Sequence, residues 1–297
     1  MHHHHHHENL YFQGGTIYKQ FTSRTLLNFF EVAALTDGET NESVAAVCKI
    51  AAKDPAIVGV SVRPAFVRFI RQELVKSAPE VAGIKVCAAV NFPEGTGTPD
   101  TVSLEAVGAL KDGADEIECL IDWRRMNENV ADGESRIRLL VSEVKKVVGP
   151  KTLKVVLSGG ELQGGDIISR AAVAALEGGA DFLQTSSGLG ATHATMFTVH
   201  LISIALREYM VRENERIRVE GINREGAAVR CIGIKIEVGD VHMAETADFL
   251  MQMIFENGPR SIVRDKFRVG GGFNLLKELR DCYESWDSVG VSPDTSP

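Results

Sequence analysis

Lys235 is an amine within the apolar, strand-like run 231–236, and an amine is a residue type that can attack a carbonyl. A lysine attacks a carbonyl only as the neutral amine, and with an ordinary pKa near 10.4 only about one in 2,500 is neutral at pH 7. Side chains alternate along a strand, so Glu237 lies on the same side as Lys235. A carboxylate there favours the ammonium form. The spacing therefore favours a structural ion pair at Lys235 over a nucleophile.

Other catalytic patterns are weaker. Outside the N-terminal tag the histidines are His193, His200 and His242; the first two lie seven residues apart on a predicted helix and the third is distant, so we predict no zinc site. The string GLG at 188–190 lacks the third glycine of a dinucleotide fingerprint, and Ser158 has no histidine partner in a recognisable motif. No metal or cofactor is expected.

The elements that must position Lys235 are short apolar, β-branched runs alternating with longer segments of helical period, which is typical of βαβ units. The predicted strands are residues 32–36, 57–62, 84–91, 116–121, 153–157, 181–185, 231–236 and 267–271. Eight strands with intervening helices suit a closed barrel, which has no edges, better than an open sheet. We predict an α/β protein with one domain, a (β/α)8 TIM barrel spanning residues 15–284.

Three segments depart from this repeat. Residues 1–14 are an expression tag with six histidines and the protease linker ENLYFQG. The longest gap separates strands six and seven, and its charged stretch 207–230 predicts a lengthened helix and a solvated insertion, read as a tolerated surface extension or a partner-binding element. Residues 285–297, rich in Ser, Asp and Pro, are predicted to be disordered.

Composition narrows the class of protein. Hydrophobic residues make up 44% and charged residues 24%, as in ordinary globular proteins. The net charge is -8 and there is no basic run, which argues against nucleic acid or an anionic membrane as the main partner. Five scattered cysteines without a C-x-x-C motif are typical of reduced thiols, so we expect a cytoplasmic protein.

Six runs at the predicted strand ends resemble deoxyribose-phosphate aldolase, a class I aldolase family. They are VNFPEG (90–95), GADEIECLIDWRRM (113–126), LKVVLSGGEL (153–162), GGADFLQTSSG (178–188), IGIKIEVGDV (232–241) and RVGGGFNLL (268–276). The resemblance covers nearly the whole natural chain. It implies a barrel that splits 2-deoxyribose 5-phosphate into glyceraldehyde 3-phosphate and acetaldehyde. In the family a strand-six lysine forms the Schiff base, a strand-seven lysine is its cationic neighbour, and a strand-four aspartate handles protons.

The positions that match these catalytic groups have changed. The strand-six motif, D-F-[IV]-K-T-S-T-G in the family, reads DFLQTSSG, so the nucleophile is replaced by Gln184, whose conjugated amide cannot form an imine. The strand-seven lysine survives as Lys235, the strand-four aspartate aligns with Glu118, and the first residue of the strand-one D-L-T becomes Ala34. The cation that would lower the pKa of Lys235 is lost, and Glu118 is expected to face it.

The family's phosphate-binding positions are altered as well. The lysine after the strand-six motif becomes Leu189, the turn K-P-A-G-G-V-R reads KIEVGDV (235–241), and G-A-S-S-L-L reads GGFNLL (271–276). Glu237 and Asp240 would repel a dianion, whereas the glycines at 270–272 either donate N–H groups to an anion or allow tight barrel closure. This degenerate site comprises Ser187, Gly188, Leu189, Gly239, Asp240, Gly271, Gly272 and Asn274, and it leaves weak binding of a phosphorylated ligand open.

Two functions of different classes follow. Changes at Ala34, Leu189, Asp240 and Phe273 accompany Gln184, which favours native divergence toward a catalytically inactive aldolase-like protein retained for binding, foremost to a protein partner. A cytoskeletal partner such as actin is suggested only by analogy with some class I aldolases, and a homodimer is left open. The alternative is an active aldolase or lyase that uses Lys235 on deoxyribose 5-phosphate or another sugar phosphate.

Overall fold

The computed structural model describes residues 19–77, 83–190, 192–220 and 230–288. Within them, eight parallel strands close into a barrel in sequence order. The strands are β1 (Phe30–Ala34), β2 (Gly59–Val62), β3 (Lys85–Val90), β4 (Glu116–Leu120), β5 (Thr152–Val156), β6 (Phe182–Gln184), β7 (Gly233–Glu237) and β8 (Phe267–Gly271). The predicted (β/α)8 barrel is confirmed, and the predicted strand limits differ from the observed ones by at most about two residues.

Helices surround the barrel. They are α1 (19–29), α2 (Asn41–Ala51), α3 (Val67–Ser77), α4 (Pro99–Lys111), α5 (Trp123–Glu128), α6 (Val130–Val148), α7 (Gly165–Gly178), α8 (Met196–Val219), α9 (Met243–Asn257) and α10 (Phe273–Ser288), with 3-10 turns at Pro64–Phe66 and Pro259–Ser261. In α6 the apolar residues spaced three and four apart form one buried face that includes Ile137, Val141 and Val144. Thr40, Thr98, Asn129 and Thr195 each begin a helix by accepting a backbone N–H on the side chain.

Alternation along the strands separates two kinds of surface. Val32, Leu183 and Ile234 point outward and belong to the apolar layer between sheet and helices. Their neighbours in sequence point into the barrel, where Glu31 and Lys235 meet. A single residue of register would exchange the two sets, so burial of the apolar layer fixes which side chains enter the interior.

Two predicted segments are described in part. The lengthened helix before β7 is present, because α8 continues to Val219; residues 221–229, where the solvated excursion was predicted, lie outside the described residues. Helix α10 continues through Ser288, into the segment 285–297 for which disorder was predicted. The remaining tail, 289–297, lies outside the described residues.

His193 corrects another prediction. It was expected to share a helix with His200, but α8 begins at Met196 and caps on Thr195. His193 therefore lies in the connection after β6, at the carboxyl end of the barrel where a TIM barrel places its site.

No helix in the described ranges is long and apolar enough to span a membrane. The same residues contain no group of three or more His, Cys, Asp or Glu side chains arranged to hold a metal ion.

Candidate functional site

The interior of the barrel is charged. In the described part of the chain, seven acidic or basic side chains (Asp, Glu, Lys or Arg) from five strands are buried there: Glu31, Glu116, Glu118, Lys154, Lys235, Glu237 and Arg268. An unpaired buried ion costs several kcal/mol of folding free energy. These groups must therefore be paired with one another, and their pairing decides what chemistry the interior can perform.

Lys154 and Arg268 form the lower part of this network. The Lys154 ammonium pairs with Glu31 at very short range, with Glu116 Oε1 at 3.0 Å and with Glu118 Oε1 at 3.8 Å. Arg268 bridges Glu116 and Glu31, the latter at 3.2 Å between Nη1 and Oε2. Burial acts to lower the pKa of Lys154, but Cys87 and the carboxylates of Glu116, Glu31 and Glu118 outweigh it, so the pKa lies well above its ordinary value.

Lys235 forms the upper part. Its Nζ lies 3.0 Å from Glu118 Oε1, 3.3 Å from Glu31 Oε1 and 3.7 Å from Glu237 Oε2. The contacts of Lys235 with Glu118 and Glu237 are those expected from the sequence, and Glu31 adds a carboxylate that the sequence did not indicate. Burial acts to lower the pKa of Lys235, but Glu118 and Glu31 outweigh it and raise the pKa above its ordinary value. Lys235 is therefore held as the ammonium ion.

Gln184 lies beside Lys235, because the two residues are register partners on β6 and β7. It is fully buried, and its Nε2 donates to the Ser186 carbonyl at 2.9 Å and to Glu118 Oε2 at 3.3 Å. Ser61 also donates to Glu118. Burial acts to raise the pKa of Glu118, but Lys235 and Lys154 bring it below its ordinary value, so Glu118 is an ionised acceptor.

Glu237 is the buried carboxylate that exceeds the number of buried cations among the described residues of the interior. Among the described side chains of the interior there are four carboxylates but only three cations. Burial first, and then the negative charges of Glu118 and Glu31, raise the pKa of Glu237 to about 8, against the opposing effect of Lys235. At neutral pH this carboxyl keeps its proton, and the interior is then electrically balanced.

The raised pKa of Glu237 predicts a pH-dependent stability. The unfolded state loses the proton near pH 4.5, whereas the folded state keeps it to about pH 8. The free energy of unfolding is therefore expected to fall as pH rises from 5 to 8, by up to about 1.4 kcal/mol per pH unit from this group. Urea unfolding across that range measures it. Glu237→Gln is expected to remove the slope, whereas Glu143→Gln on the surface of α6 keeps it; equal slopes in both variants would refute the assignment.

A pocket of about 440 Å³, called the mouth pocket below, opens above this network at the carboxyl ends of β1, β6, β7 and β8. It brings together most of the predicted site: Ala34, Ser187, Gly188, Leu189, Gly239, Asp240, Gly272 and Asn274 all line it. Gly271 lies behind the wall, facing Phe30 and Leu275. Gln184, Lys235 and Glu118 lie deeper in the barrel, and Glu237 is the member of the charge network that reaches the pocket.

Glycines line the pocket, but the chain's own side chains cover them. A Cβ on Gly188 would lie 2.9 Å from Glu237 Oε1, one on Gly239 would lie 2.6 Å from His193 Cε1, and one on Gly272 would lie 2.9 Å from Asp240 Cγ. The N–H of Gly272 donates to the Gly239 carbonyl at 3.0 Å. These glycines make room for acidic and imidazole side chains, in the place where the family resemblance implies a phosphate.

Several residues of the network were missed at the level of sequence. Lys154 and Arg268 are each a charged residue between apolar neighbours in a predicted strand, and that pattern was a usable signal for an inward-facing charge. Glu31 lies just before the predicted strand 32–36, and Glu116 follows Asp115 at the start of the predicted strand 116–121, so neither carried that signal. His193 offered no such signal, because its position depends on the path of the loop after β6.

A curated protein of similar sequence identifies the family of the chain. A curated deoxyribose-phosphate aldolase from Agrobacterium fabrum (strain C58 / ATCC 33970) is 32% identical over 184 residues, which cover 61% of this chain and 68% of that protein. The chain belongs to the deoxyribose-phosphate aldolase family. This confirms the resemblance drawn from the strand-end motifs, although no family model matches the sequence.

Solved structures of family members agree with the fold. A 1.8 Å crystal structure of a Toxoplasma gondii ME49 protein, provisionally named deoxyribose-phosphate aldolase, is 97% identical with a TM-score of 0.88, and the match covers 93% of this chain and 99% of that one. Deoxyribose phosphate aldolase from Aeropyrum pernix, described as a tetramer, is 17% identical with a TM-score of 0.62, over 92% of this chain and 96% of that one. At that identity the likeness shows the fold alone.

Proposed function

We propose that this member of the deoxyribose-phosphate aldolase family is catalytically inactive toward 2-deoxyribose 5-phosphate and is retained for binding, foremost to a protein partner in the cytoplasm. The observation that carries the proposal is the pairing of Gln184 and Lys235. The first offers an amide where the family uses an amine, and the second is held protonated by Glu118 and Glu31.

Deprotonating Lys235 would be costly. Loss of the ammonium charge would leave Glu118 and Glu31 facing only Lys154 and Arg268, in an interior where unpaired charges are expensive. Lys235 is also only 1% exposed and does not line the mouth pocket. A carbonyl substrate thus meets neither a neutral amine nor an open approach to one.

One observation favours the alternative, an aldolase or lyase that uses Lys235. Lys154 lies close enough to act to lower the pKa of Lys235, as a neighbouring cation does for a Schiff-base lysine. Its effect is smaller than that of Glu118 or Glu31, and the resulting pKa is still raised. The inactive form is therefore the one that the charges favour.

Borohydride trapping tests the proposal. The protein is incubated with 2-deoxyribose 5-phosphate, acetaldehyde and a panel of sugar phosphates, reduced, and read by intact mass and peptide mapping. The aldolase from Agrobacterium fabrum serves as the positive control. Lys235→Met corrects for surface lysines, which acetaldehyde also alkylates. We expect identical adduct patterns for the parent and Lys235→Met; an adduct mapped to Lys235 would establish the alternative instead.

The protein-binding part of the proposal is supported by the surface of α8. Val211 and Val219 are 67% and 68% exposed on the part of α8 that extends the connection to β7. Val211 also lines a groove of about 600 Å³ with Arg170, Arg207 and Arg212. Glu134, which pairs with Arg170, and Glu208 also line this groove, so Val211 is an exposed apolar side chain among charges of both signs. Arginine is enriched in protein interfaces.

Val211→Asp is expected to abolish partner recovery while leaving the fold intact, because the side chain is exposed. Affinity capture from cytoplasmic extract and co-sedimentation with purified filamentous actin provide the measurements. Val75→Asp is the matched control, since Val75 is 68% exposed on α3. Equal recovery by the two variants would remove α8 from consideration as the binding surface.

A further inference from the structure

The mouth pocket has the wrong charge for a phosphate. Among the described residues that line it, the ionisable ones are Glu39, His193, Glu237 and Asp240, and no lysine or arginine is present. Glu39 is engaged by Thr36 and Ser43, but its charge remains. A phosphate dianion would meet the carboxylates of Glu39 and Asp240, and that of Glu237 once it ionises near pH 8, with no ammonium or guanidinium group in the wall.

The helix start beside the pocket is also occupied. The first turn of α10 would offer an anion its N-terminal partial positive charge. Asp240 lies against Gly272 immediately before that turn, so the chain places its own carboxylate there. The Gly272 N–H is already used by the Gly239 carbonyl. The glycine-rich helix start that the sequence suggested as a phosphate site is thus satisfied internally.

A second observation points to a ligand that donates hydrogen bonds. Glu237 is 1% exposed, and its Oε1, which faces Gly188 in the pocket wall, has no hydrogen-bond partner among the described residues. The Nδ1 of His193 is likewise buried and unpartnered within the described ranges. A buried acceptor without a donor is costly unless a ligand supplies one.

We propose that the mouth pocket binds a primary ammonium group carried on a short apolar body. The three N–H donors of an ammonium match Glu237 Oε1, the Asp240 carboxylate and an acceptor nitrogen of His193. The rest of the wall suits the apolar body, since it includes Ala33, Ala46, Val47, Leu189 and Phe273. The inference rests on the proposed function, because the pocket is free for a cation only if a sugar phosphate is not its substrate.

Two kinds of molecule present an alkylammonium group. A free alkylamine presents the ammonium on a small molecule, and the lysine side chain of a protein partner presents it on a four-carbon stem. The pocket recognises the shared alkylammonium group, and the experiment separates the sources.

Ionisation of Glu237 couples the binding to pH. Its pKa of about 8 means that a cation must displace a proton below that pH. The charged groups that act on it from the neighbouring strands are Glu31, Glu118, Lys154 and Lys235. The charged or titratable groups that share the pocket wall with it are Glu39, His193 and Asp240. Affinity for an alkylammonium is expected to fall about tenfold for each pH unit below 8.

Calorimetric titration at low ionic strength and pH 8.5 tests the proposal with matched probes: n-butylammonium, n-butanol, butyrate and inorganic phosphate. We expect n-butylammonium to bind at least about tenfold more tightly than the other three. In a second arm, N-acetyl-lysine N-methylamide is compared with its Nε-acetylated form. Tighter binding of the lysine amide than of n-butylammonium assigns the site to a protein-borne lysine, and weaker binding assigns it to a free amine.

Glu237→Gln is expected to weaken n-butylammonium at least about tenfold and to remove the pH dependence, whereas Glu143→Gln leaves both unchanged. Should Glu237→Gln fail to fold, Asp240→Asn tests the same charge at an exposed position. Binding of n-butylammonium no tighter than n-butanol, or tighter binding of phosphate, overturns the proposal. Neither n-butylammonium nor n-butanol has a carbonyl, so this result is separate from the trapping experiment that tests the loss of Schiff-base chemistry.

Discussion

Replacing Lys154 with methionine is expected to lower the free energy of unfolding by about 3–5 kcal/mol, measured by urea denaturation at pH 7. Lys154 is fully buried and neutralises Glu31 and Glu116 while also approaching Glu118. Methionine fills much of the volume but leaves those carboxylates facing one another in a low-dielectric interior. The expected loss is therefore electrostatic rather than a loss of packing.

Lys146→Met is the matched control, because Lys146 pairs with Glu143 at 3.0 Å on an exposed part of α6. An exposed pair contributes at most about 1 kcal/mol, so this variant is expected to stay near the parent. Adding Glu116→Gln to Lys154→Met is expected to recover part of the loss, since it removes one unpaired charge. If Lys154→Met were no less stable than Lys146→Met, the buried network could not hold the charges assigned to it.

Gln184→Lys is expected to restore neither aldol cleavage nor a trapped adduct. A lysine there would be a fourth cation among four carboxylates of the described interior. It would replace the Gln184 amide, whose Nε2 now lies 3.3 Å from Glu118 Oε2. Such a setting favours the ammonium form. The mouth would still present Asp240 and Glu237 to the substrate phosphate. The lost activity is thus distributed over several positions.

A coupled assay for glyceraldehyde 3-phosphate and borohydride trapping measure the outcome, with Gln184→Met as the control. Unfolding gives an independent readout. With a fourth cation inside, Glu237 is expected to ionise at lower pH, so the fall in stability between pH 5 and 8 should shrink. Cleavage restored by Gln184→Lys alone would mean that a single substitution accounts for the inactivity.

The barrel was predictable because its signal is local. Apolar strands separated by amphipathic helices specify the architecture, and the period of two along β7 is enough to predict that Glu237 lies beside Lys235. Helix α10 runs past the predicted start of the tail because no glycine or proline follows until Gly290.

The rest of the site depends on the closure of the barrel, in which β1 pairs with β8. Glu31 is at the start of the described barrel and Lys235 is 204 residues later, and they meet only because β1 pairs with β8 and completes the ring. Strand stagger decides which inward residues share a level, and no local pattern encodes it. The contact of His193 with Gly239 depends in the same way on how a loop returns over the mouth. The sequence predicted that Lys235 and Glu237 share one side of β7. The closure of the barrel determines that Glu31 also contacts Lys235.

The two oxygens of Glu237 face different surroundings: Oε2 lies 3.7 Å from the Lys235 ammonium, while Oε1 faces the pocket wall at Gly188. One side chain thus belongs both to the solvent-facing mouth and to the sealed interior. Whatever changes the charge of Glu237 from the mouth must also shift the protonation equilibrium of the barrel, and the reverse holds by linkage. Calorimetry in buffers of different ionisation enthalpy would register that exchange as protons released to solvent.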